Sequence, residues 1–117
     1  MDSYVIGVQE PWDDWNGTRK QKLFERIYRP QGNGKPRAAL YSKGVKILPV
    51  SWLSSKDLAV GVWDGFSEEK ETVYVASWYS ERKDQILPAT TRRLIQHTSS
   101  KGIPLIVCAD VNAWSPI

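Results

Sequence analysis

The chain has 117 residues, 41% of them hydrophobic and 25% charged, with a formal net charge of +3; this is the composition of one ordinary globular domain, with no repeat, linker or low-complexity tract. No apolar run is long enough to span a bilayer, and Met1-Asp2-Ser3 lacks the basic and apolar regions of a secretory signal, so neither a membrane nor export is expected. The single cysteine, Cys108, excludes an intramolecular disulfide and suits an intracellular compartment, nuclear or cytoplasmic, while the modest basic balance is compatible with a polyanionic partner without demanding one.

In chain order, Ser3 to Gln9 is rich in β-branched and aromatic residues and reads as a strand. Pro11 ends it or sits on an edge, leaving the Glu10 carboxylate at its carboxyl end. Trp12 to Thr18 is a turn-rich loop whose Asp13 and Asp14 read as solvated, although they also have the chemistry of metal ligands. From Arg19 to Tyr28 the residues Leu23, Phe24, Ile27 and Tyr28 fall at helical spacing with basic residues between them, which predicts an amphipathic helix. Arg29 to Pro36 is too dense in Gly and Pro for a regular element. A meander is then expected: Arg37 to Ser42, a turn at Lys43-Gly44, Val45 to Val50 with Pro49 marking an edge or bulge, and Leu58 to Trp63. A hairpin loop at Asp64 to Lys70 leads to a further strand, Thr72 to Tyr79, which ends in a phenolic hydroxyl.

Lys83 to Gly102 connects that strand to the last one. Ile86, Leu87, Leu94 and Ile95 form a partial apolar stripe, Pro88 fits an early helical position and Gly102 a position past the end, so a helical crossover is expected. If the two strands it joins are neighbours, a right-handed crossover makes them parallel, with both polar ends on one side. His97, the sole histidine, falls late in that helix, where a helix-end charge or solvation explains it better than catalysis does.

Pro104 to Ala109 is a short apolar run and reads as a strand buried on both faces, with Cys108 as a small core hydrophobe. Asp110 and Asn112 follow and alternate, so they share a face. A carboxylate and a carboxamide past a strand's carboxyl end are either turn formers or hard oxygen ligands suited to Mg²⁺. The six tryptophans are mainly core or half-buried bodies, although Trp12, Trp15 and Trp114 follow the candidate ligands closely enough for base stacking.

Five blocks in sequence order, Val8-Gln9-Glu10-Pro11, Pro36 to Tyr41, Asp57-Leu58-Ala59-Val60, Val75 to Tyr79 and Pro104 to Ala113, together resemble the endonuclease/exonuclease/phosphatase family. Their wording is most similar to the endonuclease domain of non-LTR retrotransposons, itself similar to apurinic endonucleases. The resemblance implies an α/β (α+β) fold, part of a sandwich of two packed sheets, with a mixed sheet, an antiparallel meander and a helical crossover to the last strand. It implies a Mg²⁺-dependent phosphodiesterase, with Mn²⁺ as a substitute metal, that nicks DNA. In that family Glu10 resembles the principal metal-binding carboxylate and Tyr79 the tyrosine that bonds the scissile phosphate or orients the nucleophile. Asp110 resembles the aspartate that positions or deprotonates the attacking water, and Asn112 the asparagine that holds the phosphate. A reverse transcriptase domain is expected in a full-length relative.

Residues 1–117 are expected to form one apparently truncated domain of this family, because an upstream asparagine strand and a downstream Ser-Asp-His block have no counterpart here. Two readings follow: a DNA endonuclease module, or a catalytically inactive retroelement-derived fragment with residual nucleic-acid or metal binding. A third keeps the fold and changes the substrate, to phosphoinositide, sphingomyelin or messenger-RNA tails, which the block wording and basic charge disfavour. Strands without neighbours expose pairing edges, so self-association is also expected.

Overall fold

The computed structural model describes residues 4–9, 26–30, 35–65, 71–80 and 87–111. Among them are seven strands and one α-helix: β1 (Tyr4–Gln9), β2 (Arg26–Tyr28), β3 (Ala38–Lys43), β4 (Ile47–Pro49), β5 (Leu58–Asp64), β6 (Thr72–Ser80), α1 (Ala89–Lys101) and β7 (Leu105–Val111), with a 3-10 turn at Ser51–Leu53 before β5. They build two sheets, ordered β1-β3-β2 and β4-β5-β6-β7. The first is antiparallel throughout. The second is mixed: β4, β5 and β6 run antiparallel, and β7 lies parallel to β6.

Strand alternation explains how one sheet serves two cores. Ala59 of β5 with Val73 and Val75 of β6 packs against Ala38 and Leu40 of β3 and Ile47 of β4, filling the space between the sheets. The intervening residues Leu58, Val60 and Ala76 face the other way, onto Val50, Leu53 and Leu94 of α1. The helix buries only Thr91, Leu94 and Thr98. Of the stripe read from the sequence Leu94 is buried, whereas Leu87 and Ile95 are exposed and Ile86 lies outside the described residues. Pro88 is the N-cap of α1 and Gly102 its left-handed C-cap, φ 64°. The Gly102 and Ile103 N–H groups donate to Ser99 O and Thr98 O, which satisfies carbonyls the helix leaves open.

Four expectations are corrected. The described end of the segment read as a helix, Arg26–Tyr28, is strand β2, paired with β3 through Ile27↔Tyr41; an edge of β3 was open to it, and Ile27 and Tyr28 suit a strand. Lys43-Gly44 is not a hairpin turn within one sheet. β3 and β4 belong to opposite sheets, and the chain crosses between them at Gly44, φ 75°, so that Leu40 and Ile47 meet face to face in the core.

The last two concern β7. Among the described residues it is the edge strand of its sheet, and Ile106 and Val107, on opposite faces, are 44% and 42% exposed, so it is not buried on both faces and Cys108 is exposed rather than core. Asp110 lies within β7, opposite Tyr79, rather than past the strand's end. Burial of an apolar run depends on neighbours on both sides, and among the described residues β7 has one.

The sheets come close together where β1 crosses β6 and β7. A Cβ added at Gly7 would lie 2.6 Å from the Cys108 Cβ and 3.2 Å from the Ser77 Cβ, so a side chain there forces the layers apart. Gly7→Ala is therefore expected to cost about 1–3 kcal/mol, seen as a lower urea midpoint at unchanged slope. An unchanged midpoint would show that β1 has room over β7.

Candidate functional site

The carboxyl ends of β1, β6 and β7 come together at one end of the sandwich. Ser77 of β6, fully buried, donates its hydroxyl to Val8 O at 3.0 Å and accepts from Gln9 Nε2 at 2.8 Å. Gln9 Nε2 also donates to Cys108 O of β7 at 3.2 Å. One carboxamide and one hydroxyl thus tie the last two residues of β1 to both parallel strands, across the two sheets. A buried hydroxyl left without either partner would cost about 1–3 kcal/mol, so this link holds the strand ends in place.

Tyr79 and Asp110 are neighbours across the parallel pair, as the helical crossover implied. The Tyr79 N–H donates to Asp57 O at 2.8 Å, fixing the end of β6 to the start of β5. Arg37, just before β3, forks onto Asp57 with Nε–Oδ1 2.7 Å and Nη2–Oδ2 2.8 Å. Its Cζ lies 4.6 Å from the centre of the Tyr79 ring.

Of the four residues singled out in the sequence, Tyr79 is described in full and half-buried. For Asp110 the structure describes the backbone, within β7. Glu10, which directly follows Gln9, and Asn112, which follows Val111, lie outside the described residues, as do Asp13, Asp14, Trp12, Trp15 and Trp114. Among the described residues no three His, Cys, Asp or Glu side chains cluster as a metal site.

Gln9, Arg37, Asp57 and Ser77 were given no role by sequence reasoning. Their signal was polarity out of place: a serine inside an apolar strand, and charged residues at strand starts where turn formers also belong. His97 lies elsewhere. It is half-buried on the helix side of the second sheet, edge-on to Trp52 at 4.8 Å and 3.2 Å from Tyr74 Oη through Nε2, so it packs rather than being solvated. An open pocket of about 500 Å³ beside β2 is lined by residues that include Tyr28, Arg29 and Ser54, and neither Tyr79 nor Asp110 is among its described lining residues.

The fold of the chain is similar to part of a retrotransposon endonuclease domain. A solved structure similar to it is the endonuclease domain of TRAS1, a telomere-specific non-LTR retrotransposon, with a TM-score of 0.63 and 20% sequence identity over 95% of this chain. The chain spans about half of that structure, 48%. No protein-family model matches the chain, and no curated protein matches it significantly. At this identity the likeness carries architecture, and chemistry has to be argued from the residues. Among the described residues no helix is long and apolar enough to cross a membrane.

Proposed function

We propose that the chain is a nuclease module that hydrolyses phosphodiester bonds in DNA, with Glu10, Tyr79, Asp110 and Asn112 as its working residues. The observation that carries this reading is the pairing of Tyr79 with Asp110 on adjacent parallel strands, locked to the end of β1 by Gln9. Glu10 directly follows Gln9 in the sequence, and in this reading its carboxylate works together with Tyr79 and Asp110.

The hard oxygen donors of Glu10 fit Mg²⁺, which takes one or two carboxylates and completes its shell with water and phosphate. When bound, it supplies charge stabilisation at the phosphate oxygens. Asp110 takes the proton of the attacking water, the Tyr79 hydroxyl donates to a phosphate oxygen, and the Asn112 carboxamide holds a second one. As the water oxygen bonds to phosphorus, the bond from phosphorus to the leaving sugar oxygen breaks and that oxygen takes a proton from solvent. The phosphate contacts strengthen as negative charge builds on the phosphate oxygens, which lowers the barrier. DNA is the partner proposed, and a reverse transcriptase domain would accompany this module in a full-length relative.

The test is nicking of supercoiled plasmid by the purified chain. Nicking that needs Mg²⁺ and stops with EDTA supports the reading; none from a demonstrably folded chain sinks it. In that event the second reading takes over, a retroelement-derived fragment with residual metal or nucleic-acid binding.

Self-association through β7 belongs to the same proposal. Pro104 O accepts from Tyr74 N–H, so by strand alternation the N–H of Val107 turns away from β6. Val107→Pro therefore leaves the β6–β7 ladder intact and blocks pairing at the open edge. Sedimentation is expected to show wild-type dimers or larger species and a monomeric variant. A wild-type monomer at high concentration would refute this.

A further inference from the structure

The feature this reading does not use is the fork between Arg37 and Asp57. It joins the starts of β3 and β5, one from each sheet, and the backbone reinforces it: the Arg37 and Ala38 N–H groups both donate to Lys56 O. As an ion pair it stabilises little, because the side chains are 26% and 30% exposed and water screens them. Its geometry is another matter. A two-point fork fixes the plane of the guanidinium, and its Cζ lies over the Tyr79 ring, 4.6 Å from the ring centre. Asp57 holds both partners, the Arg37 cation with its carboxylate and the Tyr79 backbone N–H with its carbonyl.

A tyrosine at a strand end keeps rotational freedom about its side-chain torsions unless something covers the ring. We infer that Arg37 is a positioning residue for Tyr79: held by Asp57, it seats the ring so that the hydroxyl is presented beside the β7 position of Asp110. The inference rests on the nuclease reading for its catalytic consequence and on the observed contacts for the seat itself. Arg37 acts through the ring and not on the phosphate, because two of its guanidinium nitrogens are committed to Asp57.

The experiment uses the full chain with Arg37→Gln, Arg37→Lys, Tyr79→Phe and the Arg37→Gln/Tyr79→Phe double variant, each checked for folding. A misplaced reacting group costs on the order of 10- to 100-fold, so Arg37→Gln is expected to lower kcat for plasmid nicking by that much with KM unchanged. Arg37→Lys is expected not to restore it, since an ammonium cannot make the fork. In the Tyr79→Phe background the Arg37→Gln change is expected to cost nothing more. An equal loss in both backgrounds, or a rise in KM alone, would overturn the inference in favour of a structural or phosphate-binding role.

A second readout needs no activity. With ring-labelled tyrosine, the NMR signal lost in Tyr79→Phe identifies Tyr79 among the five tyrosines. That signal is expected to move in Arg37→Gln while the other four stay. If it does not move, the seat does not exist. If it moves but the wild-type chain cannot nick DNA, the nuclease reading fails and the seat stands.

Discussion

Asp110→Ala is expected to lower Mg²⁺-dependent plasmid nicking by about 10²- to 10⁴-fold, the range that a positioned general base contributes. The expectation follows from where β7 places this residue. Asp110 is paired with Tyr79 on a neighbouring parallel strand, two residues past Cys108, whose carbonyl is bonded by Gln9. The backbone around it is thus fixed from both sheets. A carboxylate that merely completed a turn would be replaceable at small cost. Asp110→Asn separates charge from shape, and it is expected to be as damaging as alanine, because a carboxamide cannot accept the water's proton. Nicking by Asp110→Ala within threefold of wild type would remove Asp110 from the chemistry.

The second large effect is on stability. Leu94→Ala is expected to cost about 2–5 kcal/mol, the range for a buried leucine whose cavity does not collapse. Against a typical total of about 5–15 kcal/mol this is a large fraction. Leu94 is fully buried and touches the core face of β5 and β6 through Leu58, Val60 and Ala76, with Val50 and Leu53 alongside. It is the hydrophobic anchor of α1, since the helix's other buried residues are Thr91 and Thr98. Because α1 is the connection that lays β7 parallel to β6, loosening it is also expected to raise hydrogen exchange in β7 before β5. A loss below 1 kcal/mol by thermal or urea unfolding would mean that other contacts hold the crossover.

The two effects are linked by the fold. The helix that Leu94 pins sets the relation between β6 and β7, and that relation puts Tyr79 beside Asp110. Gln9 and Ser77 then bring the end of β1 to the same place. The strand ends converge through a buried hydroxyl and a carboxamide, and the ring of Tyr79 is covered by a fork from the starts of two other strands.

The strands β1, β5 and β6 were legible from β-branched and aromatic runs, and α1 from Pro88 and Gly102 at its ends. These signals are local: a propensity or a cap acts within a few residues and reads directly from the chain. The parallel relation of β6 and β7 was also legible, because a crossover of helical length constrains direction. Glu10, Tyr79, Asp110 and Asn112 stand out in the sequence as polar groups near apolar strand ends, and the register of β6 and β7 puts the Tyr79 and Asp110 backbones side by side. What the sequence left undetermined was everything set by neighbours far along the chain. Arg26–Tyr28 became a strand because β3 offered an edge, β3 and β4 separated into different sheets because their apolar faces met across the core, and β7 stayed exposed because among the described residues it has a partner on one side. The pairing of Arg37 with Asp57 and their closure over Tyr79 has the same origin, since a charge shows its partner only once burial and backbone hydrogen bonds have decided which strand starts lie side by side.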